Sequence, residues 1–161
     1  MKRKQDNLRL QVAALPLRRA DDGGLEACLV TSRETRRWLV PKGWPVKGAP
    51  ARRSAALEAR EEAGLVGRIS KRPIGSYRYW KRFDHGWELL EVMVFRLDVG
   101  GRLKGWPEKG QREIRWLSLG EAAALIADPE LQDLVNALPG RRKVLRQATR
   151  QRPRDRRPCA G

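Results

Sequence analysis

Three glutamates are the residues of this chain best suited to chemistry. Glu58, Glu61 and Glu62 stand three and four positions apart. On a helix such positions share one face, so the carboxylate of Glu58 can converge with the other two. Converging carboxylates repel one another unless a cation lies among them, and Mg²⁺ and Mn²⁺ prefer oxygen ligands. The spacing therefore predicts a divalent-metal site. The alternative is a solvated helix face on which the glutamates pair with neighbouring arginines. These are Arg52, Arg53 and Arg60.

The sequence around these glutamates, which must position them, predicts a loop followed by a helix. Lys42–Gly48 reads Lys-Gly-Trp-Pro-Val-Lys-Gly, which is too rich in glycine and proline for a helix. Ala51–Ala63 consists mostly of strong helix formers. Pro50 suits the first turn of this helix, and Gly64 is placed to cap its C-terminus. The glutamates then lie in the second half of the helix.

The rest of the chain predicts one α+β domain, residues 8–138, in which helices pack on a sheet. Alternating apolar residues and turn signals predict six strands and two further helices. The strands are Leu8–Leu17, Leu25–Ser32, Trp38–Val40, Tyr77–Arg82, Trp87–Val99 and Ile114–Leu117, and the helices are Ala122–Ile126 and Leu131–Leu138. Pro16 indicates that the first strand lies at an edge of the sheet.

The single histidine argues against two kinds of site, and the tryptophans bear on the core. His85 is the only histidine, so a histidine metal site and a conventional Ser-His-Asp triad are disfavoured. It lies in the turn Asp84–Gly86. We expect an exposed side chain without a special role there, and contact of His85 with the substrate is the alternative. Three tryptophans are predicted to belong to the core, with a base-stacking platform as the alternative. They are Trp80, Trp87 and Trp116.

The charge distribution predicts an anionic partner. The net charge is +16 and the pI is near 11.1. Residues 139–161 contain eight Arg, one Lys and one Asp, so this segment carries half of the excess. We expect it to be a mobile arginine-rich tail through which nucleic acid can bind. The remaining basic charge suits a site that holds phosphates.

The cysteines and the N-terminus predict a cytoplasmic protein. Cys28 and Cys159 are the only cysteines, which supports neither a disulfide framework nor a thiolate metal site. The basic N-terminus is not followed by an apolar stretch, and no apolar run approaches the roughly 20 residues of a membrane-spanning helix. We therefore expect no signal peptide and no membrane partner.

The stretch from Gly43 to Leu65 resembles the Nudix box. That motif reads Gly, five residues, Glu, seven residues, then Arg-Glu-aliphatic-any-Glu-Glu-any-Gly-aliphatic. Six positions match: Gly43, Glu58, Glu61, Glu62, Gly64 and Leu65. Three depart: Ala49 stands for the first Glu, Leu57 for the Arg and Ala59 for the larger aliphatic. The flanking segments Leu39–Gly48 and Trp106–Arg112 are similar to the bacterial branch of Nudix proteins related to diphosphoinositol polyphosphate phosphohydrolases, a branch in which the first Glu is often absent.

The resemblance implies a Nudix-like α/β/α sandwich with a mixed central sheet and a hydrolase of diphosphate bonds that uses Mg²⁺ or Mn²⁺. Glu58 and Glu62 would be metal ligands, and Glu61 a ligand or the base that activates water. Gly43 would offer its carbonyl oxygen to the metal. Three cations would hold the phosphates of a nucleoside- or inositol-polyphosphate substrate. They are Lys42, Lys47 and Arg112.

Leu57 is the departure with a chemical consequence. The arginine of the family pattern orients a catalytic glutamate by a charged hydrogen bond, which leucine cannot form. Either the enzyme is slow, or Arg53 or Arg60 supplies the charge from about one helical turn away. The runner-up function is a catalytically weakened Nudix-fold module that binds a phosphorylated ligand or nucleic acid.

Overall fold

The computed structural model describes residues 8–138. In chain order the described elements are β1 (Arg9–Arg19), β2 (Leu25–Thr31), β3 (Trp38–Leu39), β4 (Lys42–Gly43), α1 (Ala51–Ala63), β5 (Leu65–Ile69), β6 (Gly75–Phe83), β7 (Gly86–Arg102), β8 (Ile114–Ser118), α2 (Leu119–Leu125) and α3 (residues 129–138). None of the helices in this part of the chain is long and apolar enough to cross a membrane. The predicted arginine-rich tail lies outside the described residues.

Helix α1 has the bounds that the sequence predicts. It ends because Gly64 adopts the left-handed conformation, with φ +68°, in which only glycine is free of strain. The Gly64 amide donates to the carbonyl of Arg60 at 3.0 Å. A Cβ at Gly64 would also collide with the indole of Trp106. Both the conformation and the available space therefore require glycine at this helix end.

The strands form one mixed sheet, as predicted. Its main order is β3-β2-β1-β7-β5, while β4 pairs with β1, β8 with β2 and β6 with β7. Strand β1 runs parallel to β7, with Arg9 opposite Leu90 and Leu17 opposite Asp98. The other pairings are antiparallel. The long strand β7 pairs with β6 along its first half and with β5 along its second.

The prediction that Pro16 marks an edge strand is wrong, because β1 lies in the centre of the sheet. On one side β1 changes neighbours: Ala13 pairs with β4, whereas Leu17 is the first residue paired with β2. The amide of Ala14 donates to Pro41 on that side at 3.0 Å. The backbone nitrogen of Pro16, two residues later, faces the same side of β1. It lies between the segment of β1 that pairs with β4 and the segment that pairs with β2. Its missing N–H therefore costs no ladder hydrogen bond.

Two hydrophobic clusters lie on opposite faces of the sheet, since successive residues of β1 alternate between them. One contains Ala13 and Leu15 and packs against α2 and α3; the other contains Val12 and Ala14 and packs against α1. The chain is thus helix on sheet on helix, which confirms the α/β/α sandwich.

The structure corrects two further expectations. Strand β5 was not predicted, because glycine interrupts its short sequence Leu-Val-Gly-Arg-Ile. Trp80 and Trp87 were expected in the core, but they are 60% and 65% exposed. Their hairpin extends past the beginning of β1, where Arg9 pairs with Leu90, so neither layer of helices covers it. Trp116 is half-buried and packs against the cluster under α1.

Candidate active site

The site begins where the loop after β4 meets α1. Strand β4 fixes Gly43 opposite Val12 of β1. The carboxyl group of Glu58 packs so closely on Gly43 that a Cβ there would collide with the carboxylate oxygens. Burial, and next the charge of Glu61, raise the pKa of Glu58 above its usual value. The glycine and the first glutamate named by the sequence are therefore in direct contact.

Glu62 is the most buried of the three glutamates, with 4% of its surface exposed. Its Oε1 lies 3.5 Å from Nη2 of Arg112. Its Oε2 accepts no hydrogen bond from any described residue. Burial raises the pKa of Glu62 to about 8, against the opposing effect of Arg112 and with a further rise from Glu58. Glu62 therefore has a buried oxygen that lacks a partner.

Glu61 differs from its two neighbours in its surroundings. Its side chain is half-buried, and its charge acts on Glu58. The carbonyl oxygen of Glu61 accepts a hydrogen bond from the backbone amide of Glu108 at 3.0 Å. This bond attaches the turn before β8 to the end of α1, close to the three glutamates.

Glu108 is the site residue that sequence reasoning missed. Its Oε1 lies 3.3 Å from Nη2 of Arg112 and 3.4 Å from Nη1 of Arg33. After burial, its charge is among the causes that raise the pKa of Glu58 and Glu62. No helical spacing connects position 108 with α1, because the contact depends on the folding of a distant turn. The only sequence signal was the local resemblance of Trp106–Arg112.

Arg112 lies beneath the glutamates, with 10% of its side chain exposed. Its Nη1 donates to the carbonyl oxygen of Thr31 at 3.0 Å, and its Nη2 donates to Glu108 at 3.3 Å and lies 3.5 Å from Glu62. Its Nε has no hydrogen-bond partner among the described residues. The role of this arginine as a phosphate ligand stays a prediction.

The two lysines named as phosphate ligands differ in their surroundings. Lys42 is half-buried, and its Nζ lies 4.6 Å from the centre of the Tyr79 ring. Burial, and next the charge of Lys81, lower the pKa of Lys42 to about 8, while the charge of Glu62 opposes this shift. Lys47 is exposed in the loop before α1. Lys42 is therefore the lysine that shares the surroundings of Glu62.

The donor chemistry of the site fits a hard divalent cation. Carboxyl groups of Glu58 and Glu62 are held in partly buried surroundings with Glu108 nearby, and Oε2 of Glu62 has no hydrogen-bond partner. A cation would supply the missing partner and remove the repulsion among these groups. Within residues 8–138 no three His, Cys, Asp or Glu side chains form a ready-made metal cluster. The fit thus lies in donor type and charge, and the side chains would have to adjust on binding.

The structure also locates the arginines considered as substitutes at Leu57. Leu57 is 37% exposed, so it contributes little to the core. Arg53 and Arg60 are exposed as well. In the part of the chain that the structure describes, neither forms an ion pair with a box glutamate, whereas Arg112 does.

The comparisons with known proteins agree with this geometry. Residues 7–138 match the family model of the NUDIX domain. Nudix hydrolase 12, mitochondrial, of Arabidopsis thaliana is 31% identical over 139 residues, which cover 76% of this chain and 68% of the relative. Nudix hydrolase 16, mitochondrial, of the same plant is 30% identical over 145 residues, which cover 81% and 79%.

Solved structures show the same fold at low identity. A C. elegans Ap4A hydrolase in a binary complex superposes with a TM-score of 0.61 at 16% identity, covering 83% of this chain and 96% of that one. The NUDIX domain of Shewanella oneidensis NrtR, complexed with ADP ribose, gives 0.61 at 16% identity, covering 82% and 87%. The family match and the plant relatives show that this chain belongs to the Nudix family and is a Nudix-type pyrophosphohydrolase.

Proposed function

We propose that the chain hydrolyses a diphosphate bond in a nucleoside- or inositol-polyphosphate substrate with the help of Mg²⁺ or Mn²⁺. The contact of Glu58 with Gly43, beside the unpartnered buried oxygen of Glu62, carries the proposal. Carboxylates that converge next to a backbone carbonyl are suited to a hard cation and its phosphate ligands. When bound, the cation would neutralise charge on the phosphates and lower the pKa of the attacking water.

The residues of the site would have different roles. Glu58, Glu62 and the carbonyl of Gly43 would hold the cation. Glu61 is less buried and would serve as a ligand or accept the proton of the attacking water. Glu108 lies beside Arg112 and would join the acidic surroundings of the cation.

The substrate is argued from the cations and aromatic groups next to the loop. Lys42 is half-buried, its charge interacts with that of Glu62, and it would contact a phosphate. Trp44, next to Gly43, is 39% exposed, and the guanidinium of Arg9 lies 4.4 Å from its ring centre. An exposed indole with a cation at its face suits a base linked to phosphates. We therefore favour a nucleotide-type substrate, in keeping with the Ap4A hydrolase and ADP-ribose complexes of the same fold.

The finer parts of the prediction stay proposals. Membership of the bacterial branch related to diphosphoinositol polyphosphate phosphohydrolases rests on the flanking segments alone, because the relatives described above are plant Nudix hydrolases. We likewise propose a cytoplasmic location and nucleic acid binding through residues 139–161.

The alternative, a weakened binding module, is motivated by Leu57. The ion pair between Arg112 and Glu62 favours an active hydrolase over a binding module, because it provides Glu62 with a cationic partner that Leu57 cannot supply.

A substrate screen tests the proposal. We would incubate the full chain with dinucleoside polyphosphates, ADP-ribose, nucleoside triphosphates and diphosphoinositol polyphosphates, each with Mg²⁺, Mn²⁺ or EDTA, and measure the products by chromatography. Glu58→Gln serves as the site variant and the exposed Glu130→Gln as its matched control. We expect metal-dependent cleavage of a nucleotide substrate that only Glu58→Gln abolishes. Binding without cleavage of any compound would favour the module, and cleavage that survives EDTA and Glu58→Gln would overturn the metal site.

A further inference from the structure

The hairpin of β6 and β7 carries two exposed tryptophans on one face. Trp80 is 60% exposed and Trp87 is 65% exposed. Trp80 lies opposite Leu89, and Arg82 lies opposite Trp87. Residues that face each other across a pair, or stand two apart on a strand, share a face of the sheet. The two indoles are therefore diagonal neighbours, with Cα atoms roughly 7–8 Å apart. Adjoining exposed rings, unlike apolar side chains scattered singly, indicate an interaction surface.

Two exposed arginines flank Trp80 on the same face. Arg78 and Arg82 stand two positions before and after it on β6. On this face Glu91 lies opposite Arg78 and accepts a hydrogen bond from Ser76 at 3.2 Å, whereas Glu88, on the other face, pairs with Arg9 at 3.2 Å. We define the aromatic hairpin face as Arg78, Trp80, Arg82 and Trp87.

We propose that the aromatic hairpin face binds single-stranded nucleic acid, the two indoles stacking on bases and the two arginines contacting phosphates. Exposed aromatic rings beside cations are the elements with which proteins hold single strands, since every base offers a flat face to an aromatic ring. A duplex hides its base faces, so a single strand is the form that this surface suits. The surface adds to the hydrolase activity and does not depend on the proposed substrate.

The charge of β6 selects this occupant over a second copy of the chain. Within the described sheet, β6 pairs only with β7 and is an edge strand. It contains Arg78, Lys81 and Arg82 and no acidic residue. Two copies joined edge to edge would bring these like charges together, which is one way that edge strands avoid self-association. A polyanion complements the same charges, and the chain as a whole carries +16.

The aromatic hairpin face lies on the same face of the sheet as α1, but none of its four residues is among those proposed for catalysis or substrate binding. Tyr77 is buried and Tyr79 half-buried on the other side of the strand, where Tyr79 lies beneath Lys42. Substitutions at Trp80 and Trp87 therefore change a surface without removing a group of the active site.

Binding of an oligouridylate of about 15 nucleotides, within the roughly 4–16 nucleotides of known single-strand sites, tests the proposal. We would label it with fluorescein and titrate it with the full chain in a series of salt concentrations, using fluorescence anisotropy. The same sequence annealed to its complement provides the duplex comparison. Trp80→Ala/Trp87→Ala is the stacking variant, and Leu125→Ala, which changes a 39% exposed apolar side chain on α2, is its control. Arg78→Gln/Arg82→Gln is the charge variant, and Arg68→Gln/Arg72→Gln is its control.

The two variants have different expected results. The stacking variant should bind the single strand about 10- to 100-fold more weakly at every salt concentration. The charge variant should reduce the slope of log affinity against log salt by about 1.4, which is about 0.7 for each lost phosphate contact. Both controls should bind like the parent chain, and the duplex should be insensitive to the stacking variant.

Three outcomes would overturn the proposal. The first is unchanged single-strand affinity in the stacking variant while its hydrolytic rate shows that it is folded. The second is equal weakening of duplex and single strand. The third is a stacking variant whose molecular mass in light scattering differs from that of the parent chain while its affinity for nucleic acid is unchanged. That result would assign the tryptophans to contacts between copies of the chain.

Discussion

Replacing Arg112 by methionine should lower kcat and leave KM for the diphosphate substrate nearly unchanged. The guanidinium lies 3.5 Å from Oε1 of Glu62 and donates to Glu108 at 3.3 Å and to the carbonyl of Thr31 at 3.0 Å. Both terminal nitrogens therefore contact protein oxygens, while Nε has no hydrogen-bond partner among the described residues. We expect Arg112 to orient Glu62 and not to hold the substrate, so we treat it as a positioning residue.

The size of the effect follows from these distances. Hydrogen bonds to charged groups contribute about 1.5–3 kcal/mol. The contact with Glu62 is long at 3.5 Å, so we take the lower end, and about 1.5 kcal/mol corresponds to roughly a tenfold loss in kcat. Stability should fall too, because Glu62 and Glu108 lose their shared cationic partner. Arg112→Lys keeps the charge but loses the planar guanidinium with its several donors. Its kcat and its stability should therefore lie between those of the parent chain and those of Arg112→Met.

Steady-state kinetics and thermal unfolding of a matched set would check this. Leu57→Arg, introduced into the Arg112→Met protein, should recover part of kcat, since it restores an arginine at the family position. Arg53→Ala and Arg60→Ala should stay within about twofold of the parent chain because both side chains are exposed. A rise in KM with unchanged kcat in Arg112→Met would show that this arginine binds phosphate, and a crippled Arg53→Ala or Arg60→Ala would refute the positioning role.

Three further outcomes are expected. Glu61→Gln and Glu62→Gln should each reduce turnover by two or more powers of ten with circular dichroism unchanged, whereas Glu130→Gln should not; full activity in both site variants would remove the glutamates from the mechanism. Burial raises the pKa of Cys28 to about 12, so its neutral thiol should resist iodoacetamide at neutral pH in a Cys159→Ser protein until denaturant is added, and rapid labelling of the native protein would contradict the buried position. A chain that ends at position 142 should keep its turnover and lose affinity for heparin, as retention assays and kinetics would show; insolubility of that chain would count against the tail hypothesis.

Local signals predicted the helix and the loop of the site. The helix bounds depend on Pro50, a run of helix formers and Gly64, all of which act through neighbouring residues. The hairpin of β6 and β7 was found for the same reason, from two alternating runs around a turn. Glu58 and Gly43 could be named because the box fixes both positions.

What the sequence could not supply depends on contacts between distant segments. Burial of a tryptophan was expected from its size, but whether a layer covers Trp80 depends on where β1 begins beside β7. The partner of Glu62 is a residue fifty positions away, Arg112, which the fold brings beneath α1. Glu108 reaches the site through the same turn. Spacing rules describe one element at a time, so they cannot rank such partners.

The parallel pairing of β1 with β7 also has a consequence for the order in which the chain folds. Arg9 meets Leu90 and Leu17 meets Asp98, so the two paired central strands lie 81 positions apart in the sequence. During synthesis the apolar strand β1 leaves the ribosome long before its partner exists. Pairs so far apart in sequence pay a large loop-closure entropy and form slowly. We therefore expect refolding in the slow range of mixed α/β domains, with a nascent chain whose first strand remains available to chaperones until β7 has emerged.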